Sequence, residues 1–286
     1  MNEPATSRPL PDGVVSQIVV GARYHFAALA FVRRHRLWGL TAVPTVVNVV
    51  LFLILLTVSL YVAVPWLQGA AAALTPAVGD GVWHAIVSGL AKAAVWALYL
   101  VVPVLIVVVN AVVLVFLGQA VASPFLDLLS ERVECLVLGI EPAPTSAARI
   151  VRSVTVAVAD VIWSLLFWLA VNVPLALLNL VPLAGSAVAA VLGFCFAALL
   201  LTVEFAGLPL TRYFISVPGR WQAVWKNRWL GLGFGTATMA LLFVPGLNLM
   251  LLPIASVAGT LMYCDLRRSG RLGVSLAALP VRSPQP

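Results

Sequence analysis

Charge is what this sequence has least of. Asp, Glu, Lys and Arg make up only 9% of the 286 residues, against 62% hydrophobic residues, and the mean hydropathy is +1.07. Four stretches carry no charged side chain at all: residues 37–79, 93–126, 161–203 and 229–264. About 20 apolar residues cross the hydrocarbon core of a bilayer as a helix, so each stretch is long enough for one span or for a helical pair. A soluble domain is excluded. Apolar–polar alternation is also missing, which excludes barrel strands.

Chemistry-bearing patterns are equally scarce. Cys135, Cys195 and Cys264 lie far apart without metal or redox spacing and read as small apolar fillers. There are three histidines, none set opposite a serine or cysteine in a recognisable pattern. No P-loop, Gly-rich phosphate fingerprint or metal-ligand spacing is present. Enzymatic catalysis, a resident cofactor, a metal site and an ATP-driven pump within this chain are therefore not expected. Residues 1–13 hold three prolines and no apolar core. They read as a disordered tail and not as a cleavable signal peptide, leaving the first span as its own targeting signal.

What charge there is has a clear distribution. The net charge is +7. Lys92 alone lies between the first and second uncharged runs; the other 16 of the 17 basic residues fall before the first run, between the second and third, between the third and fourth, or after the fourth. All of those segments can share one side of a membrane, and the positive-inside rule makes that side cytoplasmic, with both termini on it. This accounts for the basic balance without nucleic acid.

The expected fold is an all-α integral membrane protein with two long transmembrane helices plus two helical hairpins. The long helices are predicted near 38–64 and 93–118. Each hairpin turns at an uncharged Pro-containing tip, 181–185 and 244–248. The arms 229–244 and 249–264 of the last are 16 residues each, short enough for a re-entrant hairpin. Residues 14–35 read either as an amphipathic helix on the membrane surface or as the cytoplasmic start of the first span. The stretch SPFLDLLSERVE (123–134) concentrates Asp127, Glu131, Arg132 and Glu134 in a cytoplasmic connector. Ser123-Pro124 suits a helix start there, and Glu141-Pro142 a helix end. The domain boundaries are a tail over 1–13, a membrane domain over 14–266 and a flexible cytoplasmic tail over 267–286. Asn48, Asn110, Asn172, Asn179 and Asn248, within or at the ends of apolar runs, are expected to hydrogen-bond between helices.

Several pieces in order, ASPFLDLLSERVE, RLWGLTAVPTVVN, VPLAG, EFAGLPLTR, GFG and VPGLN, resemble the CysZ-type sulfate permease family, whose domain is shared with the etoposide-induced protein 2.4. The resemblance covers about residues 20–266. It implies a bacterial inner-membrane protein with the lipid bilayer and an inorganic anion such as sulfate as partners, often a homo-oligomer. It also implies an anion-binding element, Gly-Leu-Arg, seven residues before a proline. Here the Leu position is Leu37, before Pro44, and its neighbours are Arg36 and Trp38. The basic charge sits instead at Arg33, Arg34 and Arg36, so the anion-binding candidates are Arg33, Arg34, Arg36, Leu37 and Trp38. The charged residues of the matching motifs are Asp127, Glu131, Arg132, Glu134, Glu204 and Arg212. They read as gating groups or as structural ion pairs, with Arg212 a candidate partner for Glu204. Two functions stay open: an anion permease, and a non-transporting membrane scaffold or stress or envelope factor of the same domain family.

Overall fold

The computed structural model describes residues 10–74, 81–141, 147–181, 184–244 and 247–274. Every regular element among them is a helix: α1 (Val14–Arg34), α2 (Trp38–Leu74), α3 (Val82–Leu138), α4 (Ala147–Leu178), α5 (Ala184–Arg212), α6 (Val217–Lys226), α7 (Arg228–Leu242) and α8 (Leu247–Arg268). The two long helices α2 and α3 and the pairs α4–α5 and α7–α8 follow the expected plan. Residues 182–183 and 245–246, the proline centres of both tips, lie outside the described residues.

Among the described residues, four helices are long and apolar enough to cross a membrane: α1, α2, the 82–110 part of α3, and α5. Membership of α1 in that set departs from the expected plan. At 15 residues, α7 rises only about 22 Å, short of the ~30 Å hydrocarbon thickness.

The chain divides into two compact units, one of residues 43–124 and one of 1–42 with 125–286. In the first, Asn110 Nδ2 donates to Ser59 Oγ at 2.9 Å, joining α3 to α2. Among the described side chains, Asn110 fulfils the expected interhelical role. Asn172 and Asn179 donate instead to Trp168 O and Leu175 O of their own helix. Asn48 Oδ1 is buried without a partner among the described residues, and the Asn248 side chain is outside them.

In the second unit the helices approach until backbones touch. Helix association in lipid relies on close packing of small residues. Gly231 and Gly235, four apart and thus on one face of α7, meet α5: a Cβ on Gly235 would lie 1.8 Å from Ala198 O. Gly233, on the opposite face, meets α1, where a Cβ would lie 2.0 Å from Ile18 O. This packing shapes α1. It is a separate helix with one face buried against α7 and α8 (Tyr24, His25, Ala28, Val32), so it is not the first turns of α2. His25 Nε2 and Thr238 Oγ1 stand 2.8 Å apart across the α1–α7 seam.

Two local expectations are corrected. Pro124 does not start a helix: α3 runs unbroken from Val82 to Leu138 with Pro103 and Pro124 inside it, as apolar membrane helices permit. It stops at Gly139, before Glu141-Pro142, because Gly139 takes φ +68° and its N–H bonds Cys135 O at 2.9 Å, a left-handed cap. Helix α8 carries Arg267 and Arg268, which the sequence reading assigned to the tail.

Candidate functional site

The basic segment before α2 is shaped by a single turn. Helix α1 ends at Arg34, Arg36 N–H bonds Arg33 O at 3.4 Å, and Leu37 N–H reaches Val32 O at 3.0 Å. Arg36 has φ 53°. A left-handed residue between those crossed bonds is a Schellman stop, and glycine is the residue that adopts it without steric cost. The Gly-Leu-Arg element that the resemblance implies would put its glycine at this position, whereas Arg36 supplies a cation there at a backbone cost. Leu37 and Val32 belong to one buried apolar cluster, which anchors the turn. Leu37 thus contributes packing, not ligation.

Helix α2 begins at Trp38, and its first helical bond runs from Thr41 N–H to Leu37 O at 3.0 Å. The amides of residues 38–40 have no partner inside the helix. Arg33, Arg34, Arg36 and Trp38 are all exposed. None of the three guanidinium groups has a carboxylate partner among the described residues. Exposed guanidinium groups beside free helix N-terminal amides form a site able to hold a tetrahedral oxyanion through charge-assisted hydrogen bonds.

The acidic connector is built differently. A second left-handed stop, at Phe214 (φ 57°), ends α5 so that Arg212 and Tyr213 face α3. Arg212 Nη1 donates to Asp127 Oδ1 at 2.8 Å and Nη2 to Glu134 Oε2 at 2.7 Å. Tyr213 Oη donates to Glu134 Oε1 at 2.7 Å, and Arg267 Nη1 donates to the same oxygen at 3.2 Å. Glu134 is 2% exposed and Arg212 9%. Burial, reinforced by Glu134, pushes the Tyr213 phenol up to about 12. Two carboxylates and two guanidinium groups sum to zero charge, with both Glu134 oxygens engaged. Such a cluster has no surplus field for an anion; it clamps α3, α5 and α8.

Other candidates separate. Glu131 is half-buried and Arg132 exposed, and neither joins the clamp. Glu204 does not pair with Arg212, which is committed to α3; the cation whose charge bears on it is Arg220. The sequence reading missed Tyr213, Arg267 and the hydroxyl contacts that extend the clamp, Ser130 Oγ to Thr260 Oγ1 at 2.7 Å and Ser256 Oγ to Leu126 O at 3.3 Å. Their signal was the recurrence of serine and threonine inside apolar helices, where a polar group needs a partner. Among the described residues no group of His, Cys, Asp and Glu could hold a metal ion.

Asp265 is also buried. Tyr24 Oη donates to its Oδ2 at 2.8 Å, while Oδ1 has no partner among the described residues. Burial raises its pKa from 3.8 to about 6, against the opposing pull of the Tyr24 bond and the charge of Arg268. A raised carboxyl pKa means the folded state binds the proton more tightly than the unfolded chain, so stability is fullest below pH 3.8 and is lost as pH rises to about 6. The loss is on the order of 2–3 kcal/mol. Asp265→Asn keeps an oxygen for Tyr24 and is expected to flatten this pH dependence and raise stability at pH 7. Thermal melts of both proteins between pH 4 and 7 check it; equal slopes contradict the assignment.

Comparison with known proteins identifies the family. The family described as Sulfate transporter CysZ/Etoposide-induced protein 2.4 matches residues 24–253. The Sulfate transporter CysZ of Salmonella typhimurium is 28% identical over 181 residues, 61% of this chain and 70% of that protein. The protein of the same description from Pectobacterium atrosepticum is 27% identical over 195 residues, 66% of this chain and 68% of that one. The matched segment takes in the α1–α2 turn, the α3–α5 part of the clamp and both hairpin tips, and on that extent this chain belongs to the Sulfate transporter CysZ/Etoposide-induced protein 2.4 family.

Proposed function

We propose that this chain is a permease for sulfate or a similar oxyanion in the bacterial inner membrane, with both termini cytoplasmic, working as a homo-oligomer. The observation that carries the reading is the exposed Arg33–Arg34–Arg36 turn at the start of α2, where three basic groups stand together without a carboxylate partner among the described residues. The uncharged runs offer no cation within them, so an anion is met at their ends. The clamp at Glu134 is neutral and takes a structural role. The low charge inside the spans is what favours the alternative, a scaffold that moves nothing. Accessibility labelling of cysteines introduced in 1–12 and 272–286 tests the orientation; reaction of either from the periplasmic side overturns it.

The Arg36 backbone supplies a test that separates binding from folding. Arg36→Gly relieves a left-handed conformation that costs an L-residue about 1–2 kcal/mol, so the melting temperature is expected to rise. The same change removes a charge-assisted donor, and sulfate affinity is expected to fall about ten- to hundredfold. A variant that gains stability and keeps wild-type sulfate affinity removes Arg36 from the site.

A further inference from the structure

A groove of about 670 Å³ lies within the second unit, between α4, α5, α6 and α7. The permease reading makes no use of it. Its walls are apolar along the hairpin arms, from Phe167 to Leu178 on α4 and from Leu192 to Leu199 on α5. The stretch 167–178 rises about 16 Å, close to half of the ~30 Å hydrocarbon thickness, or one leaflet.

One end has a different chemistry. Trp221 meets both Phe167 and Phe196, with ring centroids at 4.5 and 5.6 Å, and the two phenylalanine rings lie 6.1 Å apart; Trp225 and Trp229 continue the aromatic rim. Arg228 lies over the Trp229 ring at 5.6 Å. It is exposed and has no carboxylate partner among the described residues. Lys226, two residues away on α6, is exposed too, and no acidic residue occurs between Glu204 and Asp265. Tryptophan and arginine at the mouth of a leaflet-deep apolar groove mark the headgroup level. The charge there complements a phosphate.

We propose that this groove is a binding site for an anionic glycerophospholipid, with one acyl chain along α4 and α5 and the headgroup phosphate on Arg228. The site is distinct from the Arg33–Arg36 turn. The lipid fills the space left between the α4–α5 hairpin and α6–α7.

The test uses the full chain, delipidated in detergent and titrated with phosphatidylglycerol or phosphatidylcholine under native mass spectrometry. The wild-type protein is expected to retain phosphatidylglycerol in preference, and Arg228→Gln to lose about fivefold of that affinity, the contribution of one basic residue at an anionic lipid surface. Cys195 lines the groove and reports occupancy without any substitution: phosphatidylglycerol should slow its alkylation by N-ethylmaleimide, read by peptide mass spectrometry. Equal retention of the two lipids, unchanged affinity in Arg228→Gln, or alkylation of Cys195 at the same rate with and without phosphatidylglycerol would each overturn the proposal.

Discussion

Glu134→Ala is expected to destabilise the protein by about 3–5 kcal/mol, the usual result of removing one partner from a buried ion pair. The wild-type carboxylate is 2% exposed and receives Arg212, Arg267 and Tyr213. Without it, Arg212 loses the buried carboxylate that accepts from its Nη2 and retains Asp127, whose side chain is 50% exposed, and Arg267 retains the tyrosine hydroxyls of Tyr213 and Tyr263. Two guanidinium groups are then left short of charge compensation between three helices. Glu134→Gln preserves a hydrogen-bonding side chain of the same shape and should fall between alanine and wild type. Thermal unfolding in detergent, followed by tryptophan fluorescence, reads both. An alanine variant that melts with the wild-type protein would remove the clamp from the account of stability.

Gly235→Val is the second large effect. Its Cβ would fall 1.8 Å from Ala198 O and 2.7 Å from Ala198 Cα, and both contacts are backbone, so no side chain can turn aside. The α5–α7 pair must separate, and overpacking of this kind costs about 1–3 kcal/mol where a core can adjust. With backbone on both sides the expected loss lies at or beyond the upper figure, with little folded protein recovered by size-exclusion chromatography. Gly39→Ala, where a Cβ meets nothing within 4 Å, is the matched control. Equal recovery of the two variants would show that α7 does not depend on the close approach.

These two positions also show where sequence reasoning reaches and where it stops. The uncharged runs set the long helices and the hairpins because a membrane span is a matter of length and apolarity. The basic turn was visible as composition, but its left-handed geometry was not. Only the glycine of the resembling element pointed to it. Arg212 and Glu204 are eight residues apart on α5, about 12 Å along its axis, too far to pair; the true partners sit on α3, 78 and 85 residues away in sequence. A single chain without tertiary information cannot identify such long-range partners from spacing. Pro124 misled for a related reason. In water a proline after serine starts a helix, whereas in an apolar run a helix continues through it. The glycines of α7 were read as a motif, but that 231 and 235 serve one neighbour and 233 another follows only from the helix phase and the packing around it.

Uptake of radiolabelled sulfate into proteoliposomes of the purified full chain tests the proposed permease function directly. Time-dependent accumulation above protein-free vesicles is the expected result, competed by unlabelled sulfate and reduced when Arg33, Arg34 and Arg36 are replaced by Gln in protein of verified orientation. Uptake no greater than in empty vesicles, from protein shown to be folded and inserted, would contradict it and favour the non-transporting scaffold.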